Sequence, residues 1–84
     1  MPARVLLTPE ARQDLRELPA AMLPRVQDVF GRLTKWPDVS GVKWLTREWK
    51  GHARIRMGAW RVIFRIEGAD VVIARIRPRK EVYE

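Results

Sequence analysis

The stretch GHARIRMGAWRVIFRI, residues 51–66, decides the fold. Two runs of alternating apolar and basic residues flank Gly58-Ala59, a pattern typical of two antiparallel strands joined by a two-residue turn. A glycine at the first central position of such a turn favours type II′. We therefore predict strands over 52–57 and 60–66.

This turn also fixes the pairing of the two strands. With Gly58 and Ala59 as the loop residues, Met57 faces Trp60 and Arg56 faces Arg61. Because side chains alternate along a strand, the residues then divide between two faces. The apolar face, expected in the core, contains Ile55, Met57, Trp60, Val62, Phe64 and Ile66. The opposite face, called the arginine face below, contains Arg54, Arg56, Arg61, Ile63 and Arg65.

Like charges directly opposite each other destabilise a sheet, so stability does not explain Arg56 across from Arg61. Guanidinium groups bind phosphate oxygens in a bidentate manner, so a bound polyanion would offset the repulsion between these arginines. The alternative is an ordinary solvated face whose arginines pair with Glu48, Glu67 or a flexible acidic residue. We interpret the arginine face as a phosphate-binding surface, because it has little apolar content and few acids nearby in sequence.

Towards the N-terminus, residues 4–7 predict a short strand, and Thr8-Pro9 predicts a helix start. The apolar residues of this helix recur at helical spacing up to Pro19, where it ends. We place its polar residues on the solvent side; they are Arg12, Asp14, Arg16 and Glu17. A second helix is predicted to begin between residues 20 and 24 and to end at Trp36-Pro37.

Residues 38–50 have no clear pattern, although Trp44, Leu45 and Trp49 are expected to anchor this segment in the core. A fourth strand is predicted over 71–77, after a turn at 67–70. The chain is therefore expected to form one α+β domain over 1–84, in the order βααβββ. A small antiparallel sheet would pack one face against an α-helical hairpin.

Composition narrows the class of function. Among 84 residues, 17 are basic and 10 acidic, and the net charge of +7 favours a polyanionic partner such as RNA, DNA or an acidic protein segment. There is no cysteine and only one histidine, so we expect no disulfide, no metal site and no cofactor. No apolar run is long enough to span a membrane and no signal peptide is evident, so we expect a cytoplasmic protein without a membrane partner.

The C-terminal stretch from Arg75 to Tyr83 brings further charge to the end of the sheet. If the Tyr83 hydroxyl lies beside the arginines, this phenol is a candidate general base. The alternative for Tyr83 is a frayed or core-docked terminus. His52 is a second candidate base, and its alternative is a surface histidine at a strand end.

Three segments, taken in order, resemble the RelE/ParE superfamily of toxins from bacterial type II toxin–antitoxin systems. They are Leu7-Thr8-Pro9-Glu10-Ala11, the hairpin with Gly58-Ala59-Trp60-Arg61-Val62-Ile63-Phe64, and residues 75–83. The family pattern is similar to Gly-Asp-Tyr-Arg-Val-Ile-Tyr followed by Val-Gly-His-Arg-Arg-Glu-Val-Tyr. Here Ala59-Trp60 replaces Asp-Tyr, and Arg77-Pro78 replaces Gly-His. The resemblance implies a compact domain held by an antitoxin in a hetero-oligomer.

In the RelE branch, the resemblance implies an endoribonuclease that cleaves mRNA in the ribosomal A site without a metal. We hypothesise that the 2′-hydroxyl attacks the adjacent phosphate, that Tyr83 takes the proton, and that Arg79 assists the leaving oxygen chiefly by its charge. The implied catalytic set is Arg54, Arg56, Arg61, Arg79 and Tyr83. Further RNA contacts are expected from Arg65, Arg75, Arg77, Lys80 and His52. Two alternatives remain, a ParE-like inhibitor of DNA gyrase without nuclease activity and a passive basic binding module.

Overall fold

The structure, a computed structural model, describes residues 2–81. Its order of helices and long strands confirms the predicted α+β arrangement, and one short strand is added before the hairpin. The elements are β1 (Arg4–Leu7), α1 (Pro9–Glu17), α2 (Leu23–Leu33), β2 (Lys43–Trp44), β3 (Ala53–Met57), β4 (Trp60–Glu67) and β5 (Asp70–Pro78). Single turns of 3₁₀ helix lie at Ala20–Met22, Arg47–Trp49 and Arg79–Glu81.

The strands form one sheet in the order β1-β5-β4-β3-β2. Strands β2 to β5 are antiparallel to their neighbours, whereas β1 runs parallel to β5, with Arg4 opposite Asp70 and Leu7 opposite Ile73. The prediction of a wholly antiparallel sheet is therefore wrong for the N-terminal strand. The partner of β1 is the last strand of the chain, so this pairing is set by long-range packing and not by a local turn. Parallel strands require a long connection, and the chain between β1 and β5 is long enough to provide it.

The central hairpin has the predicted register. Met57 is opposite Trp60 and Arg56 is opposite Arg61. Gly58 has a φ of 62°, while Ala59 is not among the described residues with positive φ. This combination agrees with a type II′ turn, which needs a positive φ only at its first central residue.

Both helices pack on the apolar face of the sheet. The core includes Ala11 and Leu18 near α1 and three α2 residues, Val26, Val29 and Leu33. From the predicted apolar face, four residues are fully buried and two are partly buried: Ile55, Met57, Val62 and Phe64, then Trp60 and Ile66. The predicted apolar face is therefore confirmed as the core side of the hairpin.

In the segment before the hairpin, residues 44–49, the apolar side chains pack on both faces of the sheet. Leu45 is buried and Trp49 is half-buried, as expected of anchors. Trp44 is 54% exposed, so it is not a core anchor. Its ring instead packs edge-on against Trp36, with centroids 6.1 Å apart, and Trp36 packs in the same way on Phe64 at 5.5 Å.

Thr8 connects the first helix to the sheet. Its Oγ1 accepts a hydrogen bond from the Ala11 N–H at 3.0 Å and donates one to the Ala74 carbonyl at 2.9 Å. The first bond caps α1, and Pro9 follows at a position where its missing N–H costs nothing. The second bond holds the start of α1 against β5 beyond the end of β1.

We expect Thr8→Val to lower the free energy of unfolding by about 2 kcal/mol, because it removes a helix cap and a partly buried side-chain hydrogen bond. Urea denaturation followed by circular dichroism measures this loss. Thr46→Val is the matched control, since Thr46 precedes a 3₁₀ turn without capping it through its side chain. The control should change stability by less than about 0.5 kcal/mol. Equal losses in both variants would contradict the role given to Thr8.

Candidate nucleic-acid interface

The register of the sheet assembles a row of arginines across three strands. Arg56 on β3 is opposite Arg61 on β4, and Arg61 is opposite Arg77 on β5. The next row contains Arg54, Ile63 and Arg75. Side chains directly opposite on one face have Cβ atoms roughly 5 Å apart, so the five arginines form a compact basic cluster around Ile63.

A β-bulge in β5 is responsible for two of these arginines. Ile63 is opposite Arg75 and Phe64 is opposite Ile73, so Ala74 is an extra residue in β5. One inserted residue reverses the facing of everything after it. The bulge therefore turns Arg75 to the arginine face and places Ile76 in the core.

The arginine face is less open than its composition predicted. Arg61 is 3% exposed and Arg54 is 7% exposed, whereas Arg56 is exposed. Ile63 is fully buried in a second, small apolar cluster with Leu45 and Trp49. The expectation of a face with little apolar content is thus incomplete, because the segment before β3 folds over Ile63.

Local contacts hold the buried guanidinium groups. Arg54 Nη1 donates to the Gly41 carbonyl at 3.0 Å, and Arg61 Nη1 is 3.4 Å from the Trp60 carbonyl. A buried guanidinium fixed by polar contacts cannot rearrange freely when a substrate arrives. Such a group contributes preorganised positive charge.

Asp14 on α1 supports the β5 side of the cluster. Its carboxylate accepts hydrogen bonds from Arg75 Nε at 2.7 Å, Arg75 Nη2 at 3.1 Å and the Ile76 N–H at 2.9 Å. Arg77 Nη1 lies 3.6 Å from Asp14 Oδ1. Asp14 is only 6% exposed, so its predicted position on the solvent side of the helix is wrong.

The environment of Asp14 favours its ionised form. Burial raises the pKa of the Asp14 carboxyl, but the hydrogen bonds from Arg75 and the Ile76 N–H and the charge of Arg77 outweigh it, so the pKa lies below its ordinary value. The same contacts raise the pKa of Arg75, chiefly through its hydrogen bonds to Asp14. Asp14 thus stays charged at neutral pH and keeps the two arginines in place.

The chain after β5 returns to the hairpin turn. Arg77 Nη2 pairs with Glu81 at 2.6 Å, and the Arg79 N–H donates to the Ala59 carbonyl at 2.7 Å. The backbone of Arg79 is therefore beside the turn between β3 and β4, close to the end of the arginine row. Arg79 and Lys80 are exposed and border an open depression of about 420 Å³.

The other predicted contact residues have different surroundings. Arg65 pairs with Glu67 at the surface, as the solvated alternative predicted for this residue. His52 precedes β3, and its ring lies edge-on to Trp49 at 5.4 Å. The His52 Nδ1 is buried without a hydrogen-bond partner among the described residues. Tyr83, the predicted base, lies outside the described residues.

Two features of the sequence carried information that the prediction did not use. Asp14 lies at helical spacing from Ala11 and Leu18, which marks it as a residue facing the sheet. Ile73 and Ile76 are three apart in a strand, a spacing that indicates a bulge between two core residues.

Within residues 2–81, no group of three or more acidic, histidine or cysteine side chains is arranged to hold a metal ion. None of the helices in that range has the length and apolar character needed to cross a membrane.

Comparison with known proteins agrees with this architecture. Residues 5–83 match the family described as the ParE toxin of the type II toxin–antitoxin system parDE. Toxin RelG from Mycobacterium tuberculosis is 40% identical over an 86-residue alignment, which covers 99% of this chain and 98% of that protein.

Solved structures show the same fold. The toxin–antitoxin complex RelBE2 from Mycobacterium tuberculosis matches with a TM-score of 0.80 and 36% identity, over 94% of this chain and 100% of that chain. The archaeal RelE–RelB complex from Pyrococcus horikoshii matches with a TM-score of 0.75 and 24% identity, over 98% and 100% of the two chains, and supports the fold alone. The chain therefore belongs to the RelE/ParE superfamily of toxins from type II toxin–antitoxin systems.

Proposed function

We propose that this toxin is a ribosome-dependent endoribonuclease that cleaves mRNA by metal-independent attack of a 2′-hydroxyl on the adjacent phosphate. The observation that carries the proposal is the register of β3 and β4, which places Arg56 directly across from Arg61, with Arg54 in the next row. A sheet gains no stability from such an arrangement, whereas a phosphorane with added negative charge would be stabilised by it.

The burial of the arginines suggests different roles. Arg54 and Arg61 are buried and supply fixed charge, while exposed Arg56 contacts the non-bridging phosphate oxygens directly. Arg79, beside the hairpin turn, stabilises the leaving 5′-oxygen by charge, since guanidinium groups do not give up their proton near neutral pH. Alignment by the ribosome would compensate for a site with a weak base.

RNA contacts outside the reacting phosphate come from exposed Lys80, from Arg65 and from His52, which directly precedes β3. Arg75 and Arg77 already contact carboxylates, so we assign them to the electrostatic field of the site and to the placement of its neighbours. The partners that follow are mRNA in the ribosomal A site and an antitoxin in a hetero-oligomer, in the cytoplasm. The RelBE2 relative, which was solved as a toxin–antitoxin complex, supports the second partner.

We expect Tyr83→Phe to reduce mRNA cleavage by about 100-fold, because it removes the hydroxyl that accepts the proton while keeping the ring. Single-turnover cleavage on translating ribosomes measures the rate. His52→Gln is the paired variant and should cleave within about threefold of the wild type. The reverse result, a slow His52→Gln and a normal Tyr83→Phe, would assign the base to His52.

The proposal is tested by inducing the toxin in bacteria without antitoxin and mapping message 5′ ends by primer extension. Cuts in phase with codons, confined to translated regions, are the expected result. The matching family model is named for ParE, which favours a gyrase inhibitor as the second candidate. Growth arrest with intact messages and a DNA-damage response would reject the nuclease and support that candidate.

A further inference from the structure

A second basic surface lies between α2 and β3. Two open depressions of about 360 Å³ each adjoin here, and both are lined by Arg32 of α2 and Arg56 of β3. Arg25 lines the first, and Arg54 lines the second. We call this surface the α2 groove.

Arg25 is placed for contact with a ligand. Its Nη1 lies over the hairpin turn, only 2.5 Å from the position that a Cβ on Gly58 would occupy. Among residues 2–81, Arg25 has no hydrogen bond or ion pair, and its side chain is exposed. Arg32 donates from Nη2 to the Ser40 carbonyl at 2.9 Å, which fixes its head beside the second depression. Of the residues that line the groove, only Asp28 is acidic.

The apolar content of the groove decides which polyanion fits. Pro24 is exposed, but the other apolar residues that line the groove, Val29, Ile55 and Met57, are at most 3% exposed, so the groove presents no large apolar side chain to a partner. Large exposed apolar side chains lie elsewhere, at Leu6, Leu23 and Trp44. Protein interfaces depend on buried apolar or aromatic anchors, whereas a nucleic-acid backbone requires mainly positive charge.

We propose that the α2 groove binds the ribose-phosphate backbone of single-stranded RNA next to the cleaved bond. Arg56 lines the groove and belongs to the arginine row, so one strand passing Arg56 reaches both surfaces. Arg25 and Arg32 contact successive phosphates without reading bases. The inference rests on the proposed function, since it assigns a further RNA contact to the same site.

The test measures binding, so it does not require cleavage. The probe is a short, fluorescent single-stranded RNA with 2′-O-methyl groups, which cannot undergo 2′-hydroxyl attack. Its affinity for the purified toxin is measured by anisotropy over a series of salt concentrations. The variants are Arg25→Gln and the double variant Arg25→Gln/Arg32→Gln. The control is Arg12→Gln/Arg16→Gln, which removes the same charge from exposed positions of α1.

Arg25→Gln should weaken binding about three- to tenfold and reduce the slope of log affinity against log salt by about 0.7, and the double variant by about 1.4. The control should leave the slope unchanged. Equal slopes in groove and control variants would overturn the inference while leaving the nuclease intact.

Two further results would also overturn the inference. One is a loss of antitoxin affinity without a loss of RNA affinity, which would make the groove a protein site. The other is a wild-type toxin that fails to bind the RNA. In-phase cleavage of messages tests the nuclease separately, so the two failures are distinguishable.

Discussion

Arg56→Gln is expected to slow mRNA cleavage by about 100-fold or more, because it removes a guanidinium group that stabilises charge on the reacting phosphate. Single-turnover cleavage with purified toxin on translating ribosomes measures the loss. The variant should leave the fold intact, since Arg56 is exposed and the substitution keeps much of the side chain's length. A normal thermal melting curve would confirm this.

The control for Arg56 is Arg12→Gln, which makes the same change of charge at an exposed position on α1. It should cleave within about threefold of the wild type, since an exposed charge outside the arginine row affects association and not the reacting phosphate. Equal losses for Arg56→Gln and Arg12→Gln would show that only net charge matters. The arginine row would then have no catalytic role.

Arg61 requires a different design because it is 3% exposed. Its truncation to alanine would open space beneath the sheet and lower stability together with activity. Arg61→Lys keeps the charge but loses the planar, bidentate group, so we expect a folded protein with a cleavage rate reduced about tenfold or more. Activity has to be compared at a temperature where the melting curve shows both proteins folded.

Asp14→Asn is expected to lower the free energy of unfolding by about 3 kcal/mol at neutral pH. Breaking a buried ion pair costs about 3–5 kcal/mol, and the lower end applies because Arg75 and Arg77 are about a third exposed. Urea denaturation at neutral pH measures the change. A loss below about 1 kcal/mol would mean that the remaining contacts of Arg75 and the Ile76 N–H compensate for the missing charge.

Asp70→Asn is the matched control for Asp14→Asn. Asp70 accepts two hydrogen bonds from Arg4, from Nε and Nη2, in the same geometry as the Asp14–Arg75 pair. The Arg4 side chain is 73% exposed, so this pair is screened by water. Asp70→Asn should therefore destabilise the protein much less than Asp14→Asn.

The pH dependence of unfolding tests Asp14 independently. The pKa of Asp14 in the folded protein lies below the ordinary value of 3.8. Near that pH, Asp14 therefore binds fewer protons in the folded protein than in the unfolded chain. The stability it provides is present above about pH 4 and is lost as the pH falls through the lowered pKa. Asp14→Asn should therefore lose less stability than the wild type between pH 4 and pH 2. Parallel curves would contradict the ion pair.

The hairpin could be predicted because its information is local. A positive φ at Gly58 and the alternation on both sides fix the turn, the register and the opposition of Arg56 to Arg61 within one short stretch. The first helix is equally local, since Thr8 caps it and Pro19 follows its end. The apolar face could be predicted from this register, because a shift of one residue would expose all of its side chains to solvent.

The tertiary structure decided which arginines carry fixed charge and which are solvent-facing. Asp14 meets Arg75 across 61 positions of the chain, and Leu45 and Trp49 cover Ile63 from outside the hairpin. The parallel pairing of β1 with β5 also joins distant segments of the chain. Short-range spacing determines the local backbone geometry and the face on which each side chain lies. Contacts between distant segments form only when both helices and the sheet pack together, so no single segment of sequence encodes them.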